Sequence, residues 1–250
     1  MFKKIIVTIF ICSLSLAASF AKDLVVGSED WAPYQFKKDG KFTGLDNDLV
    51  QIVLNDAGIK FNFKVAPWKR IVHSVRIGTV GLAMSASITP EREKFANFSV
   101  PYRNETMVMF INKDDLSKFD FSSLKKLLSA KFRIGVAQGF FYGEGFDKIK
   151  KDPKFKSKII YGTSDESNLK NLASKKINGI ILDEFVGHHI ISQQKLTGKI
   201  IASSLILNQS GIHFMISKKN IKQEVIDKIN SSIKKLKSNG EFEKISAKYR

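Results

Sequence analysis

The sequence predicts an α/β protein with a mostly parallel sheet, built as two units, and three observations carry that prediction. Short apolar runs suited to buried strands alternate with stretches whose apolar residues recur at helical spacing. The strand-like runs end in polar loops that lead into helices, the pattern of parallel crossovers. After an apolar run at residues 107–111 the alternation begins afresh, and no Pro/Gly/Ser-rich linker separates the halves. That continuity predicts lobes joined by crossing strands.

In chain order, Leu24 to Ser28 reads as a buried strand that delivers the loop Glu29-Asp30-Trp31-Ala32-Pro33-Tyr34. Asp39-Gly40 supplies a turn. A helix follows, with Leu49, Ile52, Val53 and Ala57 on one face, Asp46 as its expected cap and Gly58 as its stop. Phe61, Phe63 and Val65 alternate with polar residues as in a half-buried strand. Trp68, Ile71, Val72 and Val75 return to helical spacing, Gly78 ends that helix, and residues 80–84 form the next strand. In the second half the expected elements are a helix at 124–128, a strand at 132–137, a turn at 138–143 and a strand at 159–161. A helix at 165–176, a strand at 179–182 and a helix opened by Asp183-Glu184 follow. The chain closes with a strand at 212–216, a long amphipathic helix carrying Ile221, Val225, Ile226, Ile229, Ile233 and Leu236, and a short helix at 241–249.

The most informative stretch is Ser85-Ala86-Ser87-Ile88-Thr89-Pro90-Glu91-Arg92. Thr89 is a good N-cap, and Pro90 suits the first helical position, where its missing N–H would have no partner. Arg92 then falls in the first turn, where a cation opposes the positive end of the helix dipole. An anion in front of the turn resolves that conflict, because a carboxylate can take parallel bonds from the guanidinium and others from Ser85, Ser87 and backbone N–H groups. The plainer reading is an exposed arginine beside a solvated turn.

The chain has 250 residues and opens with Lys3 and Lys4, an apolar run at 5–18 and Ser19-Phe20-Ala21. That layout is a secretory signal peptide with cleavage expected after Ala21. The run is too short for a membrane span. The one cysteine, Cys12, would leave with the leader, and Ile11 before it is too bulky for a lipoprotein signal. A mature chain without thiols must rely on a hydrophobic core, which its length can supply. The formal net charge is +17, but the lysines are scattered, with no basic stripe interleaved by aromatics. A basic solvated surface is expected, not nucleic-acid binding.

In order and spacing, several segments together carry a resemblance: Trp31-Ala32-Pro33-Tyr34, Gly44-Leu45-Asp46-Asn47-Asp48-Leu49, Trp68, residues 85–92, Phe98-Ser99-Val100-Pro101-Tyr102, and Leu236-Lys237-Ser238-Asn239-Gly240-Glu241-Phe242. Over nearly the whole mature chain, the sequence resembles the periplasmic solute-binding proteins of ABC importers, extracellular solute-binding family 3, which includes the polar amino-acid binders. The resemblance implies a type II periplasmic binding fold of two α/β lobes joined by two crossing strands. Lobe 1 would comprise residues 22–109 and 209–250, and lobe 2 residues 110–208. A small amino-acid-like ligand would be clamped in the cleft and handed to an ABC permease by a monomeric carrier that needs no cofactor. Trp31 and Trp68 fall where the family sets aromatics over the ligand side chain, and Ser85 and Ser87 at its hydroxyl and backbone donors. Arg92 falls at its carboxylate-binding arginine, Asp183 at the acid for the α-amino group, and Glu29 near an acid that touches the ligand in several members. Phe140 and Phe141 stand where a carboxylate-binding threonine is usual, which suggests a larger or less polar ligand.

Other readings compete at particular residues. Trp68 could be core, and Asp183 could simply cap its helix. His188 and His189 lie near Glu184, but His73 and His213 have no spacing that completes a metal site. Dehydratases share the family's fold, so Glu184 with its neighbouring histidines could serve acid–base chemistry. A soluble partner of a membrane receptor would have the same cleft. No metal, no nucleophile–base pair and no second catalytic domain is expected.

Overall fold

The computed structural model describes residues 23–249. The expected leader and its cleavage site lie outside the described residues. The first lobe begins with β1 (Leu24–Ser28), a hairpin of β2 (Phe36–Lys38) and β3 (Lys41–Thr43), α1 (Leu45–Asp56), β4 (Phe61–Val65), α2 (Trp68–Ile77), β5 (Leu82–Ala86), α3 (Pro90–Glu93) and β6 (Ala96–Phe98). Strand β7 (Arg103–Asn112) leads into α4 (Leu124–Ser129), β8 (Ile134–Ala137), α5 (Glu144–Ile149), α6 (Pro153–Lys156), β9 (Ile159–Gly162), α7 (Asp165–Ala173), β10 (Gly179–Asp183) and α8 (Glu184–Gln193). The long strand β11 (Ile200–Ser217) returns, and α9 (Gln223–Ser238) and α10 (Glu241–Ser246) follow it.

The strands run in the order β4-β1-β5-β11-β7-β10-β8-β9, with β6 also on β11. The pairs β1 with β4 and β5, and β8 with β9 and β10, are parallel, as the alternating pattern predicts. Apart from the β2–β3 hairpin, the antiparallel pairs are those made by the two connecting strands: β7 with β11 and β10, and β11 with β5 and β6. Strand β11 spans 18 residues because it serves both lobes, pairing β7 from Ile200 to Ile212 and β5 from His213 to Ile216. Its register shifts between Ala202 and Ile206, between Ile206 and Asn208, and between His213 and Met215. Such bulges bend a strand and increase its twist, which lets one strand follow two half-sheets.

Two sequence expectations change. The strand at 212–216 is only the last third of β11; its earlier apolar residues, Ile200-Ile201-Ala202 and Leu205-Ile206-Leu207, are split by Ser203-Ser204 and followed by Asn208-Gln209-Ser210-Gly211, so no continuous run reveals one strand. Asp46 is not the cap of α1: the cap is Gly44, and Asp46 sits fully buried inside the first turn. Gly44 is required there, since its φ is +118 and a Cβ would meet the Tyr34 carbonyl. By contrast Thr89 caps α3 as expected, its Oγ1 accepting from the Arg92 N–H at 3.2 Å, with Pro90 in the first turn.

The buried residues form three clusters. The largest runs from Val26, Leu49 and Val53 through Phe214 and Phe110 to Leu182 and Ile190, and Ile226, Ile229, Ile233 and Leu236 of α9 cover it in the first lobe. A second cluster, around Leu127, Phe132 and Val136, fills the other face of the second lobe. A third lies under α2, around Trp68, Ile71 and Met215. Phe110 is wholly buried, and a Cβ on Gly187 of α8 would lie 2.3 Å from its ring. Gly187→Ala is therefore expected to destabilise the protein by about 1–3 kcal/mol, the usual cost of overpacking. Urea unfolding measures this; an unchanged midpoint would mean that the α8–β7 contact is loose.

Candidate functional site

The carboxyl ends of β1, β5, β8 and β10 all face the cleft between the lobes, where ligands bind in open α/β sheets. They deliver Glu29 and Trp31, Ser85 to Arg92, Gly139 to Phe141, and Asp183 in turn. A small cavity of about 20 Å³ lies there, lined by Glu29, Trp31, Trp68, Ser85, Ser87, Arg92, Phe140 and Phe141, together with Glu105 and Met107 of β7. Eight of the nine residues singled out in the sequence thus meet in one place; the ninth, Asp183, does not line it.

Arg92 is 7% exposed, and among the described residues no carboxylate lies within ion-pairing distance of it. Its Nη1 donates to the Ser87 carbonyl at 2.8 Å and its Nη2 to the Gly139 carbonyl at 3.1 Å, while the guanidinium lies 5.2 Å from the Trp68 ring centroid. This rules out the surface-arginine reading. The Gly139 carbonyl also accepts from Trp68 Nε1 at 3.2 Å, so one carbonyl of the second lobe holds two side chains of the first. Gly139 has φ +83, a left-handed turn that glycine adopts freely and phenylalanine does not. Trp68 is both core and lining, since it belongs to the third cluster and its backbone N–H donates to Glu29 Oε2 at 3.2 Å. Phe140 packs edge-on against Trp31 with ring centroids 5.7 Å apart.

A second set of contacts crosses the cleft beside the cavity. Arg103 of β7 binds Asp46 through Nε at 2.7 Å and Nη2 at 2.9 Å. Its guanidinium lies 3.6 Å from the Tyr34 ring centroid, and the Tyr34 hydroxyl donates to Asp183 Oδ1 at 3.1 Å. The same Oδ1 accepts the Val186 N–H at 3.0 Å, so Asp183 does cap α8. Ser85 bonds Asp46 and accepts from Gln35 Nε2 at 3.1 Å, and it holds φ +58, a strained value for serine. Trp31 Nε1 reaches Asp165 Oδ2 of α7 at 3.1 Å.

Sequence reasoning missed Glu105, Met107, Tyr34, Arg103 and Asp165. Glu105 and Arg103 sit in a strand whose apolar half alone stood out, and Asp165 looked like an ordinary first-turn acid. A charge within or beside a buried strand was the available signal. Glu184 and His188 are exposed, and neither they nor His189 line the cavity. His213 Nδ1 lies 2.6 Å from the Ser99 carbonyl.

Burial governs the ionisation of the site. It pushes Glu29 up to about 8, with the nearby Asp165 adding to the rise, and it pushes Glu105 to about 8 and Asp165 to about 7. Burial also raises Asp183, opposed by Arg103 and by the bonds from Val186 and Tyr34. Arg92 is lowered to about 10 by burial and stays cationic at neutral pH.

A two-lobed α/β fold with a residue-lined cleft between the lobes defines the class of solute-binding proteins, and the comparisons with known proteins agree. The sequence profile of bacterial extracellular solute-binding proteins, family 3, matches residues 24–250, and the chain belongs to that family. It is 25% identical over 240 residues to the arginine-binding extracellular protein ArtP of Bacillus subtilis (strain 168), covering 95% of this chain and 89% of ArtP. Among solved structures, a histidine kinase sensor domain with similarity to periplasmic binding proteins superposes with a TM-score of 0.79 at 18% identity, covering 91% of this chain and 96% of that one. The ancestral amino acid-binding protein AncCDT-1, a precursor of cyclohexadienyl dehydratase, superposes with a TM-score of 0.73 at 23% identity, covering 91% and 94%. No helix among the described residues is long and apolar enough to cross a membrane.

The raised carboxyls set a pH dependence. Glu29, Glu105 and Asp165 bind protons more tightly in the closed fold than at their ordinary values of 4.5, 4.5 and 3.8. Their contribution to stability is complete below about pH 4 and is lost as pH rises through 7 to 8, with a slope approaching about 1.4 kcal/mol per pH unit for each group. The thermal midpoint of the ligand-free protein should fall between pH 5.5 and 8.5, and less so in Glu29→Gln. A midpoint that rises over that interval would contradict the burial of these groups.

Proposed function

We propose that this chain is the periplasmic receptor of an ABC importer, which captures a small carboxylate-bearing ligand of the amino-acid type between its lobes and delivers it to a permease. The observation that carries the reading is Arg92: a buried guanidinium with two carbonyl partners and, among the described residues, no ion-paired carboxylate, in a cavity shared by both lobes. Such a cation is suited to a carboxylate, whose two oxygens accept the remaining N–H groups. Trp31, Trp68, Phe140 and Phe141 supply apolar walls for the rest of the ligand, and Ser85 and Ser87 supply hydroxyls. Family membership supports the carrier role, and the arginine-binding relative makes L-arginine the first probe. In this reading lobe 1 takes residues 22–109 and 209–250 and lobe 2 residues 110–208. The leader directs export, and the chain works as a monomer without catalysis.

Ligand favours the closed state because it contacts both lobes at once. Calorimetry with L-arginine, L-histidine and L-lysine, paired with small-angle scattering, tests this. Binding should compact the protein, and Arg92→Ala should weaken every carboxylate ligand by about two to four orders of magnitude, the cost of leaving a buried charge unpaired. A loss below about tenfold, or roughly 1.4 kcal/mol, would remove Arg92 from the ligand. Turnover of prephenate by the purified protein would favour the dehydratase alternative.

A further inference from the structure

Asp183 is the acid that the resemblance offers for a ligand's α-ammonium group, yet its surroundings give it other work. Its Oδ1 accepts both the Tyr34 hydroxyl and the Val186 N–H, and it does not line the cavity. Another acid does. Glu105 lies on β7, the connecting strand that forms the cavity floor, and is 4% exposed. No hydrogen bond or ion pair reaches its carboxyl among the described residues, since Arg103 beside it is committed to Asp46 by two bonds. A buried carboxyl without a partner is costly in its ionised form. Arg92 lines the same cavity without touching it and feels its charge from a distance.

We propose that Glu105 receives the ligand's ammonium group, opposite Arg92, which takes the carboxylate, and that Asp183 instead latches the lobes through Tyr34. The inference rests on the amino-acid reading of the cavity and names the residue that reads the amino end. A zwitterion then spans the cavity between two buried side chains of opposite sign, each of which lacks an ionic partner until the ligand arrives. The neutral carboxyl that burial favours in the ligand-free cavity gives up its proton when the ammonium enters. The groups that face Glu105 are Arg103 and Arg92, which favour its charge, and Asp183 and Asp46, which oppose it. Glu29, at the cavity wall beside Trp31 and Trp68, accepts the Trp68 N–H through Oε2 and can offer its other oxygen to the ligand's side chain.

The experiment compares amino acids with analogues that lack only the amino group: L-arginine against 5-guanidinopentanoate, L-histidine against imidazolepropionate and L-lysine against 6-aminohexanoate. Affinities are measured by calorimetry for the wild type, Glu105→Gln, Glu105→Asp and Asp183→Asn. Glu105→Gln should weaken the amino acids by about 100-fold or more, the effect of an unpaired buried charge, and the des-amino analogues by less than about threefold. Glu105→Asp, which keeps the charge, should recover part of the loss, and circular dichroism checks that each variant is folded. Asp183→Asn, whose amide oxygen still accepts the Tyr34 hydroxyl and the Val186 N–H, should change amino acid and analogue by the same small factor. Equal losses for both partners of a pair in Glu105→Gln, or a selective loss in Asp183→Asn, would overturn the proposal. So would a wild type that prefers the des-amino acids. In all three cases a large Arg92→Ala effect would keep the carrier reading intact. Binding of none of the six compounds, with no compaction, would overturn both.

Discussion

The buried ion pair between Asp46 and Arg103 is the constraint around which the cleft is arranged. Both side chains are almost fully out of solvent, at 0% and 8% exposed. Taking two charges out of water is costly unless geometry and further bonds compensate, and here the two parallel bonds are joined by the Ser85 hydroxyl on Asp46. Removing one partner would strand the other and cost roughly 3–5 kcal/mol. The pair ties α1 to β7, and through Ser85 to the end of β5. Ser28, Gln35 and Ser85 extend the network, with Ser28 Oγ donating to Gln35 Oε1 at 2.7 Å.

What the pair supports is a surface. The Arg103 guanidinium lies against the Tyr34 ring, and Tyr34 carries its hydroxyl across the cleft to Asp183. Beside it, the Gly139 carbonyl accepts from Trp68 and Arg92, and Asp165 accepts from Trp31. These four hydrogen bonds between lobes come from side chains fixed by their own lobe, so closure requires little rearrangement of either face. A motion confined to the two connecting strands, with bulges already present in β11, is the hinge geometry such a clamp needs.

Much of this was legible in the sequence, and the reasons differ by residue. Thr89 and Pro90 announced a helix start from local chemistry, and that start is present in the fold; Arg92 stood out as a charge placed against a dipole, and it is buried at the cavity. The parallel half-sheets followed from alternation of apolar runs with helical spacing. Asp46 shows the opposite case: an acid at the start of a helix reads as a cap, and only tertiary structure brings Arg103, 57 positions away, to meet it. Glu105 was invisible for the same reason, because β7 advertises itself through its apolar second half while its first residues look like a loop. Much of β11 was missed because Ser203-Ser204 and Asn208-Gln209-Ser210-Gly211 break its apolar residues into short pieces.

The central claim is that the face braced by Arg103 holds the lobes together through Tyr34 and Asp183. The sequence holds one cysteine, Cys12, so a protein expressed from residue 22 carries none and spin labels can be placed at Ile77→Cys and Tyr161→Cys, exposed positions of the first and second lobes. Pulsed electron–electron resonance then gives the distance between lobes in the ligand-free protein, with and without the Tyr34→Phe change, which removes only the hydroxyl. The account predicts a short-distance population that shifts toward longer separations in Tyr34→Phe. The same distribution in both proteins would contradict it.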